Sequence, residues 1–547
     1  MLEEIYKKVK EKNIKFIIIT GGVISGLGKG IALASIGKLI SNNIKKVPIK
    51  CDGYLNYDPG TINPMVHGEV FVLDDGSEVD MDFGHYERFL EITCNKSQNI
   101  TMGKIYKEIL DLERKGGYLG KDVKLIPEVR NYIEEKILNV ALDNDVELVL
   151  LEIGGTIGDL ENELYIYAIK NILQKLKSNT FKIHLTYVPE LTFSGEQKTK
   201  PAQRSISELF KRNIIPDLII CRTKKELTLK SKRKISEFSN TPLEKIISAK
   251  DLKNVYEIPV EFKNQNIDKL ICDKLKINLN KDFNKYETNV KRLTKFKTNT
   301  EENKKITIGI CGKYTDLKDS YASVIEALNH SSMVNNTPLK IEFINTENIN
   351  LDELSKIDGV IIPGGFGKRA IDGKIKIIKW ARENKIPFLG LCYGLQLAII
   401  EYARNMCNIT NANSTEIDSE TTEPLIKILE NQNLNNMGAS MRLGSYKAII
   451  KKDTYVHKIY NSDIVFERHR HRYEVNPDYH KILEGNNLIL SGKSPNGKLV
   501  EFIELKNHPF FVATQAHPEL KSTIEKGHPL FIEFLKKCKI KKEEKQF

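Results

Sequence analysis

Apolar residues in this chain fall into short runs closed by glycine-containing turns, with helical spacing in between. From Lys15 the segment KFIIIT is a strand-sized run, and after a glycine-rich turn IALASIGKLI (31 to 40) spaces its apolar residues as a helix does. Further buried-strand candidates are VELVLLEI (146 to 153), FKIHLTYV (181 to 188) and DLIICR (217 to 222), separated by helix-like stretches such as NELYIYAIKNILQKL. This alternation predicts an α/β fold with a mostly parallel sheet and helices on both faces.

Between residues 282 and 304 apolar periodicity gives way to a polar run rich in Asn, Thr and Lys, which reads as a linker. The pattern then restarts with ITIGICG, DGVIIPGG and IPFLGLCYG, three strand candidates that each end in a glycine turn. Two α/β domains are therefore expected, over 1 to 281 and 305 to 540, with a frayed charged tail over 541 to 547. No solenoid-like repeat is present.

Composition narrows the class. A chain of 547 residues exceeds what one core supports, which agrees with two domains. No apolar run approaches the roughly 18 residues needed to span a bilayer. The N-terminus MLEEIYKKVKEKNIK lacks the apolar core and cleavage site of a secretory signal, so a cytoplasmic protein without a membrane role is expected. Eight scattered cysteines include no Cys-x-x-Cys pair and no zinc-like spacing, which argues against a disulfide framework or zinc site. Much of the net charge of +12 sits in lysine-rich runs such as LKSKRK and KKCKIKK. These read as solvated faces, compatible with anionic small substrates and not with nucleic acid.

In FLGLCYGLQLA, Cys392 sits where an apolar strand turns through Gly394 into a helix, the geometry of a nucleophile elbow. A thiol there feels the positive end of the following helix. QAHPE adds His517 as a base for the thiol proton and Glu519, two residues on in strand alternation, as its orienter. In PGGFG (363 to 367) paired glycines let a backbone N–H face an oxyanion, and the N–H of Tyr393 would complete the hole. Taken in that order, PGGFG, GLCYGLQ and HPE resemble the class I glutamine amidotransferases. The resemblance implies that Gly365, Tyr393, Gly394, Leu395, Gln396, Glu416 of NANSTE and Arg472 of ERHRHRYEVN hold glutamine, the two charged residues pairing with its ammonium and carboxylate.

TGGVISGLGKG (20 to 30) follows a strand and opens a helix, so its N–H groups and Lys29 could cradle phosphates. It departs from a strict Walker loop in spacing, and Gly30 replaces the Ser or Thr that would contact magnesium. Downstream, NYDPGTINPMVHGEVFVLDDGSEVDMDFGHYERF, LEIGGTIGDLE and GEQKTKPAQ closely resemble the synthetase domain of the CTP synthase family. That resemblance implies Gly26, Leu27, Gly28, Lys29, Gly30, Ile31, Lys50, Asp82, Lys250, Asp251 and Leu252 for ATP. It assigns Ser25, Asp159, Leu160, Glu161, Lys198, Thr199, Lys200, Pro201, Ala202, Gln203 and Lys234 to UTP or CTP, and Asp82 and Glu152 to Mg2+. Three places depart from the family pattern: Gly53 where proline is common, Leu160 in DLE, and the lid GKRAIDG (367 to 373), which bears on reception of GTP.

The resemblance further implies that ATP phosphorylates UTP at O4 and that ammonia from glutamine, passed internally, displaces the phosphate to give CTP. It also implies GTP activation, CTP feedback inhibition and a homotetramer, with filaments as a further assembly. A glutamine-dependent ligase for a cofactor carboxylate is the rival enzyme, which KTKPAQ and HGEVFVLDDG oppose. A non-catalytic scaffold is the rival outside enzymes, and the presence of Cys392, His517, Lys29, Asp82 and Glu152 opposes that.

Overall fold

The computed structural model describes residues 2–63, 68–298, 301, 304–312, 318–347, 349, 351–365, 367–368, 370–428 and 441–545. The chain divides into two compact units, one of Met1–Asp58 with His85–Val290 and one of Pro59–Gly84 with Lys291–Phe547.

In the first unit the strands are β1 (Lys15–Gly21), β2 (Lys46–Asp52), β5 (Asn99–Thr101), β6 (Leu148–Ile153), β7 (Thr180–Tyr187), β8 (Leu218–Thr223) and β9 (Ile246–Lys250). They form one sheet in the order β5-β2-β6-β1-β7-β8-β9, parallel at every pairing. β1 and β6 are buried along their whole length, which is why they read as unbroken apolar runs and not as alternation. One core lies where β1, β2 and β6 meet helices Leu2–Glu11, Arg130–Asp143 and Glu163–Lys175.

The second unit holds the hairpin β3 (Phe71–Val72) and β4 (Glu78–Val79), then β10 (Ile306–Gly312), β11 (Leu339–Asn345), β12 (Gly359–Ile362), β13 (Phe388–Leu391), β14 (Ala412–Ser414), β15 (Glu423–Ile428), β16 (Arg442–Ile450), β17 (Ile464–His471), β18 (Tyr473–Val475), β19 (Leu488–Lys493), β20 (Val500–Leu505) and β21 (Phe511–Thr514). Its main sheet runs β11-β10-β12-β13-β21-β20-β19-β16-β17, parallel through β21 and antiparallel beyond it. Two separate cores use residues of this sheet, one with helices Ile371–Glu383 and Tyr393–Met406, the other with helices Ala322–Val334 and Pro529–Lys545.

Three sequence readings change. Much of the supposed linker is a helix, Phe283–Thr298, because Phe283, Tyr286, Val290 and Leu293 recur every three or four residues and are buried despite their polar neighbours. The terminal helix continues to Lys545, so most of the expected tail is ordered: Lys545 pairs with Asp358 at 3.6 Å and donates to the Ile357 carbonyl at 2.7 Å. Pro59–Gly84, read as part of the first domain, packs in the second unit. Among the described residues no helix is long and apolar enough to cross a membrane.

Candidate active site

In the second unit three loops leave the C-terminal ends of neighbouring parallel strands β12, β13 and β21, where open α/β sheets place their ligands. They are Pro363–Gly365, Cys392 and Gln515–Glu519. Cys392 has φ 51° and ψ −100°, a strained conformation held by its N–H donating to the Thr514 carbonyl at 2.7 Å. Flanking glycines leave the room this turn needs, since a Cβ on Gly394 would meet the Ile362 carbonyl oxygen at 2.3 Å.

His517 does not continue β21. Pro518 cannot donate to a sheet ladder, and the chain turns into a short 3-10 segment, Pro518–Lys521, so the expected strand alternation is not what joins base and orienter. This turn brings Nδ1 of His517 to Oε1 of Glu519 at 2.7 Å. Burial opposes a charge on His517, yet Glu519 and Cys392, the latter a hydrogen-bonding neighbour, outweigh it and hold the imidazole well above its ordinary range. The proton thus resides on the ring that faces the sulfur. Gly364 makes room for that ring, because a Cβ there would lie 2.7 Å from its Cε1.

Of the expected glutamine residues, Tyr393, Gly394, Leu395 and Gln396 open the helix that follows Cys392, and Gly365 lies in the loop after β12. Gln396 donates to the Tyr473 carbonyl at 2.8 Å, and among the described residues its buried Oε1 has no hydrogen-bond partner. Glu416 accepts from the Gly367 N–H at 2.7 Å, and the Tyr393 hydroxyl donates to the Gly367 carbonyl at 3.1 Å. Burial and then Glu416 push the Tyr473 phenol up while Arg472 pulls it down, so opposite charges face one ring. Gly365 opens onto space, its nearest neighbour for a Cβ being Lys374 Nζ at 3.8 Å. Gly394 and Leu395 are buried in the first turn of the elbow helix. Phe366 of PGGFG and Arg369 of the lid lie outside the described residues.

Several neighbours carried no sequence signal. Gln515 Nε2 lies 3.7 Å from Cys392 Sγ, and Lys374, fully buried, stands 5.3 Å over the Tyr393 ring. β17 passes alongside: the Arg468 carbonyl accepts from the His517 N–H at 2.7 Å and the Arg470 carbonyl lies 3.8 Å from Cys392 Sγ. Its alternate residues His469 and His471 join a buried network in which Arg442 binds Glu474 at 2.9 Å and Glu501 at 2.6 Å. Burial, followed by Arg442, keeps both imidazoles well below their ordinary range and hence neutral. The repeated His-Arg pattern was visible, but only the fold shows that its two faces serve different partners.

In the first unit the glycine-rich loop precedes helix Lys29–Leu39, with Gly26 at φ 73° and Gly28 at φ 89°, the left-handed values glycine tolerates. Lys29 Nζ donates to the Gly155 carbonyl at 2.7 Å, and Gly154 lies so close to Asp52 that a Cβ would meet its Oδ1 at 2.3 Å. Lys50 and Glu152 are register partners on β2 and β6. Glu152 is buried and accepts from the Tyr86 hydroxyl. The floor below the loop is therefore buried, with the carboxylates of Asp52 and Glu152 beside Lys50; such oxygens are the kind Mg2+ takes, while among the described residues no group of three or more His, Cys, Asp or Glu is placed to hold a metal ion. Asp82 starts helix Asp82–Leu90 and falls in the second unit, while Glu152 falls in the first.

A cavity of about 160 Å³ opens beside the loop, lined by Gly26, Leu27, Gly28, Ile31, Lys250 and Leu252 and walled by Leu185, Ile220, Val255, Ile258 and Phe262. Lys29, Gly30, Lys50 and Asp251 do not line it; Asp251 pairs with Arg222 at 2.7 Å. Of the expected pyrimidine-nucleotide residues, Ser25, Leu160, Glu161 and Lys234 are exposed, and Lys198 pairs with Glu196, whose carboxyl also feels Lys234. Asp159 accepts from the Thr156 N–H at 3.1 Å. Thr199, Lys200, Pro201, Ala202 and Gln203 form the start of helix Lys200–Lys211, with Ala202 fully buried. Gly53 packs tightly on Glu161 and Asn162, leaving no room for a Cβ. Behind the loop His184 bonds Thr20 at 3.0 Å and Ser205 at 2.6 Å, and burial lowers its pKa to about 3.

A strained cysteine at a strand end, bonded to a raised histidine that a glutamate orients, defines a class I glutamine amidotransferase. The family model for that class, "Glutamine amidotransferase class-I", matches residues 316–537, and the model "CTP synthase N-terminus" matches residues 15–277. The CTP synthase of Clostridium acetobutylicum is 45% identical over 96% of this chain and 99% of its own length, and that of Borreliella burgdorferi is 48% identical over 96% and 100%. The glutaminase domain of Trypanosoma brucei CTPS with bound acivicin is 37% identical, covering 43% of this chain and 93% of its own at a TM-score of 0.40. The chain belongs to the CTP synthase family, the glutamine-hydrolysing ligases.

Proposed function

We infer that the chain makes CTP from UTP, ATP and glutamine, with the nitrogen chemistry at Cys392 and the phosphate chemistry around Lys29. The observation that carries this reading is the convergence of Cys392, His517 and Glu519 at the ends of the adjacent strands β13 and β21, with His517 bound to Glu519 at 2.7 Å. Cys392 attacks the glutamine side-chain carbonyl, the N–H groups of Gly365 and Tyr393 receive the oxyanion, and His517 hands its proton to the departing ammonia. The resulting thioester on Cys392 is hydrolysed to glutamate with His517 acting as base for water. Glu416 and Arg472 hold the ammonium and carboxylate of glutamine.

At the other centre ATP phosphorylates O4 of UTP, and ammonia delivered internally displaces the phosphate at C4. Lys29 and Lys50 hold phosphate oxygens, while the cavity beside Gly26–Gly28 takes the adenine and Lys250 and Leu252 border it. Glu152 and Asp82 would hold Mg2+, which supplies charge neutralisation on the triphosphate. The residues of DLE and KTKPAQ, with Ser25 and Lys234, take the pyrimidine nucleotide. The same reading includes activation by GTP, feedback inhibition by CTP, a tetrameric assembly and a cytoplasmic setting. Purified protein given UTP, ATP, Mg2+ and either glutamine or ammonium should form CTP with both nitrogen donors, measured by nucleotide chromatography. Absence of CTP with either donor refutes the assignment.

A further inference from the structure

The described residues 59–63 and 68–84 lie within the N-terminal family match, yet they group with the second unit, and several of their contacts reach β17. Along that strand Arg468 and Arg470 send their side chains to one face. Arg468 Nε binds Asp74 Oδ1 at 2.5 Å and its guanidinium stands 5.4 Å over the Phe71 ring. Arg470 Nε binds Glu78 Oε1 at 2.7 Å, and its Nη2 donates to the Gly60 carbonyl at 3.1 Å. The Arg470–Glu78 pair is largely shielded from solvent, with side chains 16% and 2% exposed, whereas the Arg468–Asp74 pair joins a buried guanidinium to a carboxylate that is 37% exposed.

The attachment is keyed by backbone as well. Gly76 (φ 87°) and Gly444 (φ 97°) face each other so closely that a Cβ on Gly444 would meet the Gly76 nitrogen at 2.6 Å, and the Ser445 N–H donates to the Asp74 carbonyl at 2.9 Å. In the register of β16 with β17, Leu443 and Ser445 stand opposite Arg470 and Arg468, so the hairpin turn grips both strands at one level. The same two arginines present their carbonyl oxygens to the candidate triad: Arg468 holds the His517 N–H and Arg470 faces Cys392 Sγ.

We propose that Asp74 and Glu78 are positioning residues for glutamine hydrolysis, acting through Arg468 and Arg470 to fix the β17 carbonyls against His517 and Cys392. This rests on the assignment of Cys392 and His517 made above. Releasing either arginine lets β17 shift. A displacement well under 1 Å at a nucleophile and its base slows reaction more than it weakens substrate binding.

The test uses the full chain with Glu78→Gln and Asp74→Asn, assayed with glutamine and with ammonium. For each variant the glutamine-dependent kcat should fall about tenfold to a hundredfold with KM changed less than about threefold. The ratio of glutamine to ammonium rates should fall at least about tenfold, and alkylation of Cys392 by iodoacetamide, followed by peptide mapping, should slow. The double variant Glu78→Gln with Arg470→Gln should be no slower than the worse single change, because both break one interaction. A glutamine-dependent kcat within about threefold of the parent overturns the proposal. So does an equal fall with both nitrogen donors in both single variants, which marks a general folding defect. Failure of the functional assignment itself would appear separately, as a parent protein making no CTP from glutamine.

Discussion

The two candidate centres are built on the same plan, a loop at the C-terminal end of a parallel strand followed by a helix, and they achieve different things with it. At Cys392 the loop is closed, strained and complete within one unit, with the base bound directly to its orienter. At Gly26–Gly30 the loop is open and left-handed at two glycines, and the charged groups under it already bind one another or the backbone. Covalent catalysis needs a few atoms held in fixed geometry before substrate arrives. Phosphoryl transfer needs charge and backbone N–H groups that organise around a triphosphate. The first is therefore recognisable without its ligand, and the second shows mainly as a floor and a slot.

The sharpest break in that comparison is Cys392→Ala. Glutamine-supported CTP formation should fall by at least about 10⁴-fold, while the ammonium-supported rate stays within about threefold, because only one of the two centres uses the thiol. Lys29→Ala should lower both rates together by about 10²-fold to 10³-fold, since phosphate positioning precedes amination whatever the nitrogen source. Retained ammonium-dependent synthesis would remove Lys29 from the phosphate site. Steady-state assays with the two donors measure both variants.

Glu519→Gln separates orientation from nucleophilicity. Burial disfavours a charged His517 and Glu519 is the leading opposing influence, so this variant should lose about 10²-fold in glutamine-dependent kcat. It should also move the basic limb of the kcat/KM profile to lower pH. An unchanged limb would show that the proton sits elsewhere. The smallest expected effect belongs to the nucleotide half. His184 is buried with a pKa of about 3 against an ordinary 6.5, so the unfolded chain binds the extra proton first. Its contribution to stability is complete above about pH 6.5 and is lost as pH falls toward 3. His184→Gln should reduce the drop in unfolding free energy between pH 7 and pH 5 by about 2 kcal/mol, read from urea titrations. An identical slope would place the acid sensitivity in other groups.

Much of this architecture is readable from the residues because local pattern and burial agree there. KFIIIT, VELVLLEI and FLGL became the strands their apolar runs predict, and the three glycine-containing motifs fell on adjacent strand ends. Where the readings failed, a tertiary fact outranked the local one. Phe283, Tyr286, Val290 and Leu293 were hidden among lysines and asparagines, so their helical spacing read as a linker. β21 stops at Thr514, and Pro518 opens a 3-10 bend where strand alternation was expected. Asp74, Glu78, Arg468 and Arg470 gave no sign of their pairing, because nothing in the order of residues reveals that positions almost four hundred apart meet. The segment that carries Asp74 and Glu78 also carries Asp82; it lies within the N-terminal family match and groups by its contacts with the second unit.

The central claim is that nitrogen freed at Cys392 is the nitrogen that reaches the pyrimidine. Glutamine labelled with 15N at its side-chain amide, given to the full chain with UTP, ATP and a modest excess of unlabelled ammonium, tests it through the mass of the CTP formed. Most CTP should carry the label at its 4-amino group, because in the proposed reaction ammonia is delivered internally to the pyrimidine. CTP labelled only in proportion to the label released into the ammonium pool would contradict it.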